Sequence, residues 1–114
     1  MSAITTHVLD TARGCPATGV AVLLERQIDE EDWTIVGRAE TDADGRARAL
    51  MPAGMPLLIA RYRLTFNTAR YFTTLRLRPF FPSVIIVFEP EQGELRYHVP
   101  LLLSQFGYTT YRGS

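Results

Sequence analysis

The chain is written in short segments of alternating polarity, and that rhythm commits it to sheet. Across residues 58–67, Ala60, Tyr62, Leu64 and Phe66 fall on one side of an extended chain. Arg61, Arg63, Thr65 and Asn67 fall on the other, because successive side chains of a strand point to opposite faces. Short β-branched or apolar segments recur at 4–9, 20–25 and 33–38. Each ends in turn formers: Gly14, Pro16 and Gly19 after the first, and the acidic stretch 29–32 after the second. Asp44-Gly45 marks a tight turn, with glycine free to take a positive φ. Residues 51–56 carry two prolines and a glycine and read as loop. Further strands are expected at 46–50 and 95–103, with Pro100 pointing to an edge or a bulge, and 107–112 reads as a last short strand or an extended tail. The continuously apolar run 83–89 predicts a strand buried on both faces. Only 68–75 breaks the alternation; there Asn67 or Thr68 can cap a short helix through Tyr71 and Phe72. Seven or eight short strands with one short helix predict an all-β, two-sheet β-sandwich. At 114 residues this is a single domain, 1–114, without repeats or linkers.

Sandwiches host many unrelated functions, so function has to come from particular side chains. All twelve cations are arginines, balanced by twelve acids. With no lysine, Schiff-base and phosphate-loop lysine chemistry is excluded. Zero net charge argues against a general nucleic-acid binder. No apolar run approaches the ~20 residues that span a bilayer, and the N-terminus has no basic or apolar signal region, so the expected location is cytoplasmic. Charge is nevertheless segregated. Residues 25–44 hold eight acids and two arginines, whereas 45–88 hold seven arginines and no acid. This reads either as complementary surfaces or as arginines facing an anionic ligand.

The candidate chemistry is sparse. His7 and His98 are 91 positions apart, each in an expected strand among apolar neighbours. Their pattern fits hydrogen-bonded structural histidines as well as catalytic ones, and no His-x-His spacing supports a metal pair. Arg46 follows the Asp-Gly turn. It is either a solvated arginine or a planar fork for a flat anion, with Arg48 two residues on along the same face. Cys15 has no activating motif beside it and reads as an inert thiol. The end, Tyr108-Thr109-Thr110-Tyr111-Arg112-Gly113-Ser114, carries two tyrosines, which suggests docking rather than fraying.

Together these segments resemble the transthyretin-related family. The likeness runs from Thr5-Thr6-His7-Val8-Leu9-Asp10 and Gly14-Cys15-Pro16-Ala17 through Thr41-Asp42-Ala43-Asp44-Gly45-Arg46. It continues in Leu64-Thr65-Phe66-Asn67-Thr68, Pro79-Phe80-Phe81-Pro82 and Tyr97-His98-Val99-Pro100-Leu101-Leu102-Leu103-Ser104. The closing Tyr111-Arg112-Gly113-Ser114 looks like the ending that separates the family's hydrolases from its hormone carrier, transthyretin. Gln105 and Phe106 depart from the proline and tyrosine usual there.

The resemblance implies a transthyretin-like sandwich that hydrolyses 5-hydroxyisourate to 2-oxo-4-hydroxy-4-carboxy-5-ureidoimidazoline in urate degradation. The alternative is a non-catalytic small-molecule carrier of the same fold. It implies His7, Arg46 and His98 as catalytic residues and Tyr111, Arg112, Gly113 and Ser114 as substrate-binding ones. It also implies no metal or organic cofactor, no nucleic-acid or membrane partner, and a homotetramer, a dimer of dimers with sites at the dimer–dimer interface.

Overall fold

Alternation becomes burial where it is strongest. In the computed structural model, which describes residues 3–92 and 94–113, Tyr62, Leu64 and Phe66 of one strand are fully buried. Each such side chain contributes about 1.5–3 kcal/mol over its exposed state. The described residues form nine strands and one helix: β1 (Ile4–Asp10), β2 (Cys15–Pro16), β3 (Ala21–Gln27), β4 (Trp33–Glu40), β5 (Arg46–Ala47), β6 (Tyr62–Phe66), α1 (Thr68–Thr74), β7 (Val84–Phe88), β8 (Tyr97–Ser104) and β9 (Gly107–Thr110).

They make two sheets. One runs β2-β1-β8-β9, with β5 also paired to β1; the other runs β4-β3-β6-β7. All pairings are antiparallel except β1 with β8, which is parallel from Ile4↔Tyr97 to Asp10↔Leu103. Ile4, Val8, Leu101 and Leu103 from the first sheet meet Leu24, Leu64, Phe66 and Val84 from the second in one core. Helix α1 closes one side of it with Tyr71 and Phe72, and Asn67 caps the helix by accepting from the Arg70 amide at 3.1 Å.

The sequence reading is corrected at several points, and the strand expected over 46–50 stops at Ala47, where the chain turns. The two-residue β2 falls where a loop is expected, because Gly14, at φ +67°, folds residues 11–14 back so that Cys15 pairs with Asp10. β6 begins at Tyr62 rather than at 58: its hydroxyl accepts from the Leu58 amide at 3.1 Å, closing a bend over the intervening residues. β7 is not buried on both faces. It is an edge strand with β6 as its one neighbour, and Ile85 and Val87 are about half exposed on its open face, as antiparallel sheets permit. Pro100 lies inside the interior strand β8; it is accommodated because the β9 ladder begins only at Leu101.

Inward positions are not all apolar. Asp10 is 2% exposed, and its carboxylate accepts from the Tyr71 hydroxyl at 2.7 Å and the Arg13 amide at 3.0 Å. Burial, reinforced by the Asp10 carboxylate, pushes the Tyr71 phenol up to about 12. A buried charge survives when its lone pairs are satisfied, and here those bonds tie α1 to the end of β1.

Candidate active site

The register of β1 assembles the site. Its inward residues Ile4, Thr6, Val8 and Asp10 are buried, which turns Thr5, His7 and Leu9 outward. Across the parallel ladder Thr5 stands opposite His98; across the antiparallel pairing with β5, His7 stands opposite Arg46. Paired residues show their side chains on the same side of a sheet. Arg46, His7, Thr5 and His98 therefore form a row across three strands. The chain end extends this row. Gly113 bridges to His98, its N–H donating to the His98 carbonyl at 2.7 Å. A Cβ at Gly113 would lie 2.8 Å from His98 Cδ2, so glycine lets the tail lie flat against the imidazole.

A cleft of about 1040 Å³ opens over this row. Arg46, His98, Tyr111, Arg112 and Gly113 all line it; Ser114 lies outside the described residues. Three further lining residues, Thr5, Arg48 and Arg96, are not among the expected site residues. Thr5 and Arg96 each lie two positions before an expected histidine, so strand alternation is the signal that finds them.

His7 belongs to the row but not to the cleft wall. Its Nε2 lies 2.8 Å from the Asp44 carbonyl. A carbonyl only accepts, so that partner assigns the ring proton to Nε2. The turn it touches is held tightly. The Asp42 carboxylate accepts from the Asp44 and Arg46 amides at 2.9 and 3.0 Å. These bonds, led by the one from Arg46 and followed by the Arg48 guanidinium, keep Asp42 below the usual carboxylate range. Gly45 sits at φ +78° with the Val8 carbonyl where a Cβ would be, so the turn lies directly on β1. The sequence therefore delivers Arg46 to the site through a rigid loop.

Part of the segregated charge is complementary within the fold. Arg48 pairs with Asp42 and Asp44, Arg63 with Glu25, and Arg70 with Glu40, each joining the basic segment to the acidic one. Among the described residues the Arg46 guanidinium makes no ion pair or hydrogen bond. It faces the cleft with its donors free. Arg112 lies 4.9 Å from the Tyr97 ring centroid and 3.5 Å from Glu94.

His98 is the electrostatically distinct member. Burial holds its pKa below the ordinary histidine value, and the nearby Arg46 charge and His7 add to the effect; a hydrogen bond to the Thr5 backbone works against it. An imidazole with a lowered pKa, sharing a cleft with a guanidinium that has no partner among the described residues, can take a proton from water while the guanidinium receives developing negative charge. Among the described residues, no three His, Cys, Asp or Glu side chains gather as a metal site would require.

The molecule is thus a two-sheet sandwich with a cleft lined by a histidine and arginines on the outer face of one sheet. The chain belongs to the HIUase/Transthyretin family, whose model matches residues 4–113. A 5-hydroxyisourate hydrolase of Salmonella dublin is 45% identical over 113 residues, covering 97% of this chain and 80% of that protein. The solved 5-hydroxyisourate hydrolase of Klebsiella pneumoniae superposes with a TM-score of 0.83 at 35% identity, covering all of both chains. Sea bream transthyretin, solved in complex with thyroxine, superposes with a TM-score of 0.88 at 31% identity, covering 98% of this chain and 95% of that one. Overall shape thus matches hydrolase and transthyretin alike, and the cleft residues have to distinguish them.

Proposed function

We propose that this protein hydrolyses 5-hydroxyisourate in urate degradation, rather than carrying a small molecule unchanged. The observation that carries this reading is the cleft itself: His98, its pKa held below the ordinary histidine value, shares it with Arg46, whose guanidinium has no partner among the described residues, and with the Tyr111–Gly113 tail. A proton acceptor and a hydrogen-bond donor to an oxyanion in one cleft are the groups that hydrolysis needs.

The substrate is a flat, oxidised purine. Water attacks a ring carbonyl carbon, and His98 takes the water proton as the C–O bond forms. Arg46 donates hydrogen bonds to the resulting oxyanion, whose loss commonly costs on the order of 3 kcal/mol of transition-state stabilisation. The carbon–nitrogen bond then breaks, and the imidazolium of His98 returns the proton to the leaving nitrogen. His7 positions the Asp42–Arg46 turn and discourages protonation of His98. Arg112 and Tyr111 hold the ligand plane from the side, a task that suits arginine's planar fork. The resemblance extends the proposal to a homotetramer, and the half-exposed Ile85 and Val87 on edge strand β7 support an association between subunits.

The test is decay of freshly generated 5-hydroxyisourate, followed in the ultraviolet. The wild-type protein should accelerate it, and His98→Asn should lose about 100-fold or more. No acceleration by the wild type favours the carrier. A loss under threefold in the variant removes His98 from the chemistry.

A further inference from the structure

The proposed mechanism asks one nitrogen of His98 to carry a lone pair into the cleft, and nothing in the reaction itself fixes which one. The fold does. Thr5 Oγ1 lies 2.8 Å from His98 Nδ1. The two residues are register partners in the parallel ladder, so the contact is set by β1–β8 pairing rather than by a mobile loop. Gly113 lies against the ring's Cδ2 edge and limits its rotation. Among the described residues Nε2 has no hydrogen-bond partner.

We propose that Thr5 is a positioning residue: its hydroxyl accepts the Nδ1 proton of His98 and leaves the Nε2 lone pair facing the cleft as the water-activating base. A threonine hydroxyl can also donate, which would put the proton on Nε2, so the surroundings decide. The charged groups around the ring are mostly cations. Arg46 comes from β5, Arg96 precedes β8 and Arg112 lies in the tail, with Glu94 paired to Arg112 and His7 on β1. Guanidinium groups only donate. An Nε2–H would meet their positive field, whereas a lone pair there is stabilised by it. Hydrogen bonding at one ring nitrogen sets the protonation of the other, the usual way a histidine's tautomer is chosen.

This inference deepens the hydrolase reading and rests on it for its catalytic part. Its test therefore has a readout independent of turnover. The chain has two histidines, so four ring nitrogens account for the imidazole region of a 15N NMR spectrum. In the free wild-type protein, His98 should show a protonated Nδ1 and an unprotonated Nε2 above its pKa. Thr5→Val keeps the side-chain shape and suits a strand but removes the hydroxyl. It should shift His98 toward the Nε2–H form, lower kcat by about 10-fold and leave KM within about twofold. The acid limb of kcat should move to lower pH, because an acceptor at Nδ1 stabilises the imidazolium and its loss disfavours that form. Thr5→Ser should restore the tautomer and kcat to within about threefold of wild type. An Nε2–H tautomer in the wild type, an acid limb displaced upward in Thr5→Val, or unchanged kcat in that variant overturns the assignment. If the wild type does not hydrolyse 5-hydroxyisourate, the hydrolase reading falls, and the tautomer spectrum still decides what Thr5 does.

Discussion

Replacing Gly113 with alanine changes one methyl group and tests how closely the chain end must sit against His98. A Cβ built there lies 2.8 Å from His98 Cδ2 and 3.3 Å from the His98 carbonyl, whereas ordinary contact begins near 3.4 Å. The imidazole or the tail must yield by about 0.6 Å. Displacing a reacting group by 1 Å costs about 100-fold in rate, so a shift of this size should lower kcat on the order of 10-fold. KM should change little, because Arg46 reaches the cleft from the other end of the row. Stability should fall by no more than about 1 kcal/mol, the worth of the Gly113 to His98 backbone bond near a chain terminus. Gly107→Ala is the control: nothing lies closer than 3.9 Å to its Cβ, and its kcat should match wild type. Steady-state decay of 5-hydroxyisourate, with thermal melts on the same samples, reads both quantities. Wild-type kcat in a folded Gly113→Ala protein, or equal damage from Gly107→Ala, would refute the claim that the tail positions the ring.

Two other substitutions separate binding from stability. Arg96 lines the cleft without a carboxylate partner among the described residues. Arg96→Gln should raise KM about fivefold with kcat retained, an effect near 1 kcal/mol for an exposed charge that shrinks as salt is added; a salt-independent or absent change would show that Arg96 does not meet the substrate. Tyr71→Phe removes one of the donors that satisfy buried Asp10. It should cost about 1–3 kcal/mol and lower Tm by several degrees with kcat unchanged, whereas an unshifted melt would mean that Asp10 finds another partner.

The sandwich and the identity of the polar candidates are legible along the chain, but their assembly is not. Tyr62, Leu64 and Phe66 announce their common buried face at two-residue spacing. Asp44-Gly45 announces its turn, and Asn67 its helix cap. The terminal Tyr-Arg-Gly-Ser and the two histidine motifs carry the family resemblance. From the residues alone, however, His7 and His98 read first as structural, because a separation of 91 positions says nothing about distance. Thr5 is hidden for the same reason: a threonine in a β-branched strand is unremarkable until His98 is placed opposite it. The misreading of β7 has a related cause. An apolar run fits a strand buried on two faces as well as an edge strand with an open face, and sheet order alone separates them.

Alternation, turn chemistry and capping depend on neighbours a few residues apart, so the sequence by itself determines strands, turns and the short helix. Which strands pair, and in what register, depends on how distant inward faces close one core. That long-range choice makes β1 and β8 parallel neighbours. Through it, a threonine, two histidines and an arginine from three strands become one row on the sheet face.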